Sequence, residues 1–401
     1  MTSTMQRARA WSGPAILSYG FRPFFFGASI CAALAMLLWI PMLSGHVALP
    51  TAFDPVSWHA HEFLFGYLGA VIAGFLLTAV PNWTGRLPIV GWRLGALALL
   101  WLSGRVAVIF SASFDPIVVA IFDLAFPIAL ETAIAREILA GKNWRNIIVL
   151  AMLSVFALGN VLFHWEAARG DYAAQGYGLR LGLGGAMMMI AVIGGRIVPS
   201  FTRNWLVKRG PGRLPAPPMQ GFDKLSLVVF LIALALWVAL PLHPFAGAVL
   251  ILAGILHLFR LARWAGDRTL AEPLVTVLHA GYAFLPVGAL AIGAEILKPN
   301  TFGMAAAQHL WMGGAIGLMT LAVMTRATLG HSGQPLSAGP GTVAIYLALV
   351  LAVLARWAAG FWVDIAPLLF DLSGGAWIAA FVGYALQYGR LLLSPKPVKQ
   401  H

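Results

Sequence analysis

The sequence predicts an all-α, polytopic membrane protein of about twelve transmembrane helices, and three observations predict it. Of its 401 residues, 60% are hydrophobic and only 10% charged, with a mean hydropathy of +0.84; a soluble domain of this length carries far more charge. The apolar runs are continuous rather than alternating, which excludes a barrel. Many of them reach the ~20 residues that a helix needs to cross a bilayer. The net charge of +12 would direct a soluble chain toward nucleic acid. Here the basic residues sort by loop, so the expected partner is the lipid bilayer and not nucleic acid.

In chain order, MTSTMQRARAW is a short basic arm with no small-residue cleavage site, read as leading into a retained first helix. Apolar spans and their breakers place helices near 23–43, 55–80, 91–111, 116–139, 145–165, 176–198, 222–241, 244–265, 273–296, 302–325, 341–360 and 363–393. The second is the focal one: Asp54 caps it, Pro55 occupies its first turn, and Pro81 is expected to end it. Its early turns carry His59, His61 and Glu62, followed by a charge-free run from Phe63 to Gly85. Pro241-Leu-His-Pro244 divides the charge-free run Leu225–Phe259 into a hairpin. The segment KRGPGRLPAPPMQ (208–220) reads as a loop without a fold of its own.

Orientation follows from the loops. Arg7, Arg9, Arg86, Arg93, Lys142, Arg145, Arg203, Lys208, Arg209, Arg213, Arg268, Lys396 and Lys399 fall on one set of alternate loops and the termini. The opposite set carries Asp54, Asp115, Glu166, Asp171, Glu295, Asp364 and Asp371, with only Arg169 and Lys298 against them. Both termini are therefore expected in the cytoplasm. Within the single membrane domain 1–401 an internal repeat is expected, with units near 1–143, 144–270 and 271–401. Gly66, Gly184 and Gly314 coincide at separations of 118 and 130 residues, followed by Thr78, Arg196 and Arg326. His61 and His309 each stand five residues before their glycine.

Cys31 is the only cysteine, so an intrachain disulfide and a thiolate-ligated cluster are excluded. Any metal must use histidine, methionine or oxygen. The candidate metal ligands are His59, His61, His279, His309 and His331, imidazole being suited to haem iron and to copper. The sequence holds no Cys-x-x-Cys-His, so a haem would be non-covalent, of the b type. His59 and His61 lie about 200° apart around a helix and cannot both bind one metal from an undistorted one. The alternative for each membrane histidine is an interhelical hydrogen bond. His164, His46 and His243 fall at outer ends or loops, and His257 near an inner end.

Intramembrane arginines form the second set of candidates, because a buried guanidinium needs an anion. Arg105 and Arg356 lie inside spans 251 residues apart; Arg22, Arg180, Arg196 and Arg326 lie toward helix ends. Haem propionates would serve as the anion, and so would Glu62, Asp123 or Glu131. Glu62 and Glu131 are the candidate proton-transfer groups. Met187-Met188-Met189 points in successive directions and reads as packing rather than as a copper(I) patch.

Four stretches carry a family resemblance: FRPFF (21–25), WHAHEFLFGYLGAVIAGFLLTAVPNWTG (58–85), GGRIVPSFTRN (194–204) and HLWMGGAIGLMTLAVMTRATLGHSG (309–333). Together they resemble the NnrS family over essentially the whole chain. That resemblance implies a twelve-helix bacterial inner-membrane protein containing haem and copper and linked to nitric oxide, nitrosative stress and denitrification. It places the site on His59, His61, Glu62, His309 and His331, with Arg22, Arg196 and Arg326; His279 sits less securely on a family motif. The expected function is a haem–copper membrane protein that binds or processes nitric oxide. If it reduces nitric oxide, a quinol or a protein partner must donate the electrons, since no extramembrane redox domain is encoded. The rival from another class is a secondary transporter of a small molecule or metal, which buried His, Arg and Glu residues also fit.

Overall fold

The computed structural model describes residues 11–86 and 88–395. Among the described residues, twelve helices long and apolar enough to cross a membrane follow one another. They are α1 (Phe21–Leu43), α2 (Pro55–Thr84), α3 (Trp92–Ile109), α4 (Pro116–Ala140), α5 (Trp144–Ala168), α6 (Tyr177–Arg209), α7 (Gly221–Ala239), α8 (Pro244–Ala262), α9 (Pro273–Leu297), α10 (Met304–His331), α11 (Pro340–Ala358) and α12 (Val363–Leu393). No strand occurs among the described residues. The chain is a polytopic helical membrane protein, as its composition predicts, and the break between α7 and α8 falls at 240–243. The basic residues Arg7, Arg9, Lys396 and Lys399, and His401, lie outside the described residues.

Several helices start by one device, a polar cap followed by proline. Asp54 Oδ1 accepts the N–H of Val56 and of Ser57, both at 3.0 Å, ahead of Pro55. Asp115 serves α4 through the Ile117 N–H at 2.8 Å, and Glu272 serves α9 through that of Leu274 at 3.2 Å. Each cap satisfies donors that have no intrahelical partner, and the proline occupies a place where its missing N–H costs nothing.

The end of α2 corrects one expectation. Pro81 does not stop the helix, which continues to Thr84. Asn82 Nδ2 donates back to the Thr78 carbonyl at 3.1 Å and Thr84 Oγ to that of Val80 at 2.9 Å. Gly85, at φ 69°, ends the helix in the left-handed conformation that glycine adopts without strain.

The chain divides into two compact units. The first takes α1–α5, the start of α6 to Gly182, Ala327–Pro335 and the chain from Phe381. Here α5 meets the start of α6 backbone to backbone: a Cβ on Gly159 would strike Gly182, and one on Gly178 would strike Phe163. The second unit takes Leu183–Arg326 and Leu336–Ala380. In it α8 and α9 approach through Gly247 and Gly293, each facing the other's carbonyl. Small residues at these crossings let polar backbones pack where no water is available. Large side chains such as Leu34, Leu37, Ile117, Ile121 and Leu347 stay exposed, as a lipid-facing surface requires.

Three helices are not uniformly α. Glu62–Tyr67 in α2, Ile190–Gly194 in α6 and Leu310–Leu318 in α10 are π-helical. Such segments insert one residue per turn and often lie at functional sites. They fall in the second helix of each repeat unit proposed from the sequence, and they add a structural regularity to that proposal.

Candidate metal centre

In the first unit, four helices direct polar side chains to one buried point. His61 and Glu62 stand at the junction where α2 passes from α to π winding. Arg105 comes from α3, Asp123 from α4, and Asn160 and His164 from α5. Asn160 and His164 are four residues apart and so share a helix face. All six are buried, from 0% exposed at His61 to 7% at Arg105 and His164.

Arg105 links the two carboxylates. Its Nη1 donates to Glu62 Oε1 at 2.5 Å, and its Nη2 donates to Asp123 Oδ1. Glycines make room for it: a Cβ on Gly66 would land on the guanidinium, and one on Gly104 would strike Asp123. Trp101 Nε1 donates to the Gly66 carbonyl at 2.9 Å, which satisfies an acceptor within the π segment.

The other oxygen of Asp123 faces the histidines. Oδ2 lies 3.2 Å from His61 Nε2 and 3.0 Å from His164 Nε2, and it accepts Asn160 Nδ2–H at 2.7 Å. His61 Nδ1 lies 3.2 Å from Glu62 Oε1, while Nε2 also faces Asn160 Oδ1 at 3.0 Å. Both ring nitrogens of His61 thus face oxygen acceptors. An imidazolium satisfies that arrangement, and so does a cation beside Nε2 with Nδ1–H held by Glu62. Phe53, Phe65 and Phe163 surround the His61 ring at centroid distances of 5.6, 5.5 and 5.4 Å and keep the point dry.

His61, Asp123 and His164 each offer one ligand atom, and these atoms lie within 4.8 Å of one another. Two imidazoles and one carboxylate form a donor set that transition metals use. The supporting contacts also fit: Glu62 orients His61, while Arg105 and Asn160 orient Asp123. The residues therefore suit a single ion. They do not suit a haem iron ligated by both histidines, because the His61 and His164 rings sit at 5.0 Å and 73° to each other, with no room for a macrocycle between them.

The remaining expected site residues are placed elsewhere. His59 stacks on Trp39 at 4.0 Å. His309 Nδ1 donates to the Ala305 carbonyl at 2.6 Å, and His331 stacks on Phe21 at 5.3 Å. Thr202 donates its hydroxyl to Val198, so it accepts from His279 Nε2–H at 2.7 Å. Arg22 donates to the carbonyls of Leu392 at 3.2 Å and Ser394 at 2.7 Å, closing the end of α12. Arg180 donates to the Gln175 carbonyl, and Arg196 is half-buried just after the π segment of α6. Arg326 lies over Phe201 at 4.1 Å and Arg356 over Phe370 at 4.9 Å. Glu131 accepts the hydroxyl of Ser154, two turns along α4 from Asp123. Of the expected residues, His61, Glu62 and Arg105 come together. The sequence points to Asp123 only as a partner for arginine and to His164 only as an outer-end residue, and it does not single out Asn160. Their signal was the i, i+4 pair of polar residues in GNVLFHW, opposite the one acid in the first half of α4.

Two comparisons bear on identity. The family model described as NnrS protein matches residues 15–396, nearly the whole chain. No curated protein matches it.

Proposed function

The chain belongs to the NnrS family, and from that premise and the buried triad we propose that it is a membrane metalloprotein that binds nitric oxide. The metal would sit between His61, Asp123 and His164, and copper is the ion that the family resemblance implies. The observation that carries this reading is the convergence of those three ligand atoms inside the membrane region. Charge supports it. With neutral imidazoles, Arg105 offsets only one of the two carboxylates Glu62 and Asp123, and one further positive charge completes the cluster. A bound transition metal would supply an open coordination position for nitric oxide and a change of redox state.

The chain's own residues set the conditions for that chemistry. Glu62 holds His61 by Nδ1–H, so that Nε2 presents its lone pair. Arg105 holds Asp123 through Nη2–H and Glu62 through Nη1–H, so one guanidinium fixes both carboxylates. The phenylalanines exclude water, while a small uncharged gas reaches the site through lipid. Glu62 Oε1, between His61 and Arg105, is placed to hold or pass a proton, and electrons would come from a quinol or a protein donor. Haem b is also implied by the resemblance, with His59, His279, His309 and His331 as its remaining candidate ligands; no residue set described above fits it, and no step is assigned to it.

A second reading rests on the two acceptor-facing nitrogens of His61, which would equally serve a coupled proton in a secondary transporter. Elemental analysis and nitric oxide difference spectra of purified protein decide between them. A bound transition metal that is lost in Asp123→Asn and His164→Ala, with loss of the nitric oxide spectrum, supports the metalloprotein. A folded, metal-free protein with no nitric oxide spectrum supports transport.

A further inference from the structure

A second buried constellation lies wholly within the second unit and plays no part in the metal centre. Arg260 and His257 of α8, Tyr282 of α9 and Asp223 of α7 are each at most 1% exposed. Arg260 Nε donates to Asp223 Oδ1 at 2.8 Å. Its Nη1 donates to the Ala191 carbonyl and to Tyr282 Oη, both at 2.8 Å. Tyr282 Oη lies 2.8 Å from His257 Nδ1, and His257 Nε2 lies 3.3 Å from the Ser226 carbonyl.

Donor rules fix the protons. A carbonyl only accepts, so His257 carries its hydrogen on Nε2 and presents the Nδ1 lone pair to Tyr282. A guanidinium only donates, so it occupies a lone pair of Oη and leaves the phenol hydrogen for His257. The result is a phenol aimed at a neutral base in a fully buried site. The Trp264 ring stands at 4.6 Å from that of Tyr282, edge to face, and Phe230 lies 4.9 Å from His257.

We propose that Tyr282 and His257 form a proton-coupled redox pair that stores one oxidising equivalent. A one-electron oxidant, of the class of oxidised transition-metal complexes, takes one electron from the phenol. The Oη–H bond breaks and the proton forms a bond to His257 Nδ1. Neutral tyrosine, neutral histidine and the oxidant thereby become a phenoxyl radical, an imidazolium and the reduced oxidant; return of the electron sends the proton back. Moving electron and proton together avoids a phenol cation radical, which a low-dielectric interior penalises heavily. After transfer Nε2–H still bonds Ser226, and Arg260 still donates to the phenoxyl oxygen. Arg260 and Asp223, the charged groups that face the pair, are bonded to each other and largely cancel. Trp264 offers the route by which the electron leaves. The pair is independent of the metal centre.

The test is flash oxidation of the purified protein with photogenerated tris(bipyridyl)ruthenium(III), followed by electron paramagnetic resonance of freeze-trapped samples. We expect a tyrosyl radical whose spectrum narrows with ring-deuterated tyrosine. It should be absent in Tyr282→Phe and present in Tyr384→Phe and Tyr388→Phe, and it should form more slowly in D2O. If Tyr282→Phe does not fold, electron–nuclear double resonance on the natural chain decides: two exchangeable protons at the phenoxyl oxygen, from His257 and Arg260, identify Tyr282. Absence of a tyrosyl radical, its persistence in Tyr282→Phe, equal rates in D2O, or fewer than two exchangeable protons would each overturn the proposal.

Discussion

Arg105 binds both carboxylates of the first-unit cluster. Its charge is permanent and it faces two buried carboxylates, so Arg105→Leu should destabilise the protein by about 3–5 kcal/mol, the usual penalty for leaving a buried charge unpaired. Thermal unfolding in detergent reads this directly. Arg105→Lys should fall between that variant and the natural chain, because an ammonium cannot bridge Glu62 and Asp123 with a fixed fork. An unchanged midpoint in Arg105→Leu would mean that the carboxylates are neutral. Half of this cluster is legible in the sequence. His61, Glu62 and Arg105 stand out because charge inside an apolar span is costly. Asp123 is legible only as an anion for a buried arginine and His164 only as a histidine at an outer end, until α4 and α5 bring both to His61. Asn160 carries no charge at all, and its part depends on its pairing with Asp123 at 2.7 Å.

The twelve helices follow from apolar runs and from polar-proline starts, which act locally and can be read locally. The π segments cannot be read in this way, because a shifted hydrogen-bond register leaves no mark in composition. Pro81 misleads for a related reason: a proline near a helix end removes one N–H, and back-bonding by Asn82 and Thr84 steadies the turn. Two predictions belong here. Asp54→Ala removes the cap of α2 and should cost about 1 kcal/mol, read as a fall in the thermal midpoint; no fall would show that Pro55 alone sets the start. In the loop between α8 and α9, a hydrogen bond from Arg213 holds the exposed Asp267 carboxyl below its ordinary value. That contribution is present above the unfolded pKa and fades as pH falls through the folded one. Stability should therefore lose a small, salt-sensitive increment on acidification that Asp267→Asn lacks, and identical acid profiles for the two proteins would contradict the pairing.

For the molecule as a whole, the alternation of basic and acidic loops predicts that reporters inserted at Lys208 and at Asp171 fall on opposite sides of the membrane. The basic side is proposed to be the cytoplasm, with both termini there, in a bacterial inner membrane. Reporters reading the same side would break the twelve-span topology. Buried carboxylates support the proposed repeat: Glu166 accepts the Tyr177 N–H at 2.6 Å, and Glu295, 129 residues on, accepts those of Asn300 at 2.7 Å and Phe302 at 2.8 Å. Each closes the turn that leads into a π-containing helix. The central claim, a metal held inside the first unit, is tested most directly by elemental analysis of four purified proteins of verified helicity. These are the natural chain, Asp123→Asn, His164→Ala and His46→Ala, the last altering an exposed histidine bonded to Ser44. We predict that the natural chain and His46→Ala retain a bound transition metal and that Asp123→Asn and His164→Ala lose it. Equal metal in all four, or none in the natural chain, would contradict the account.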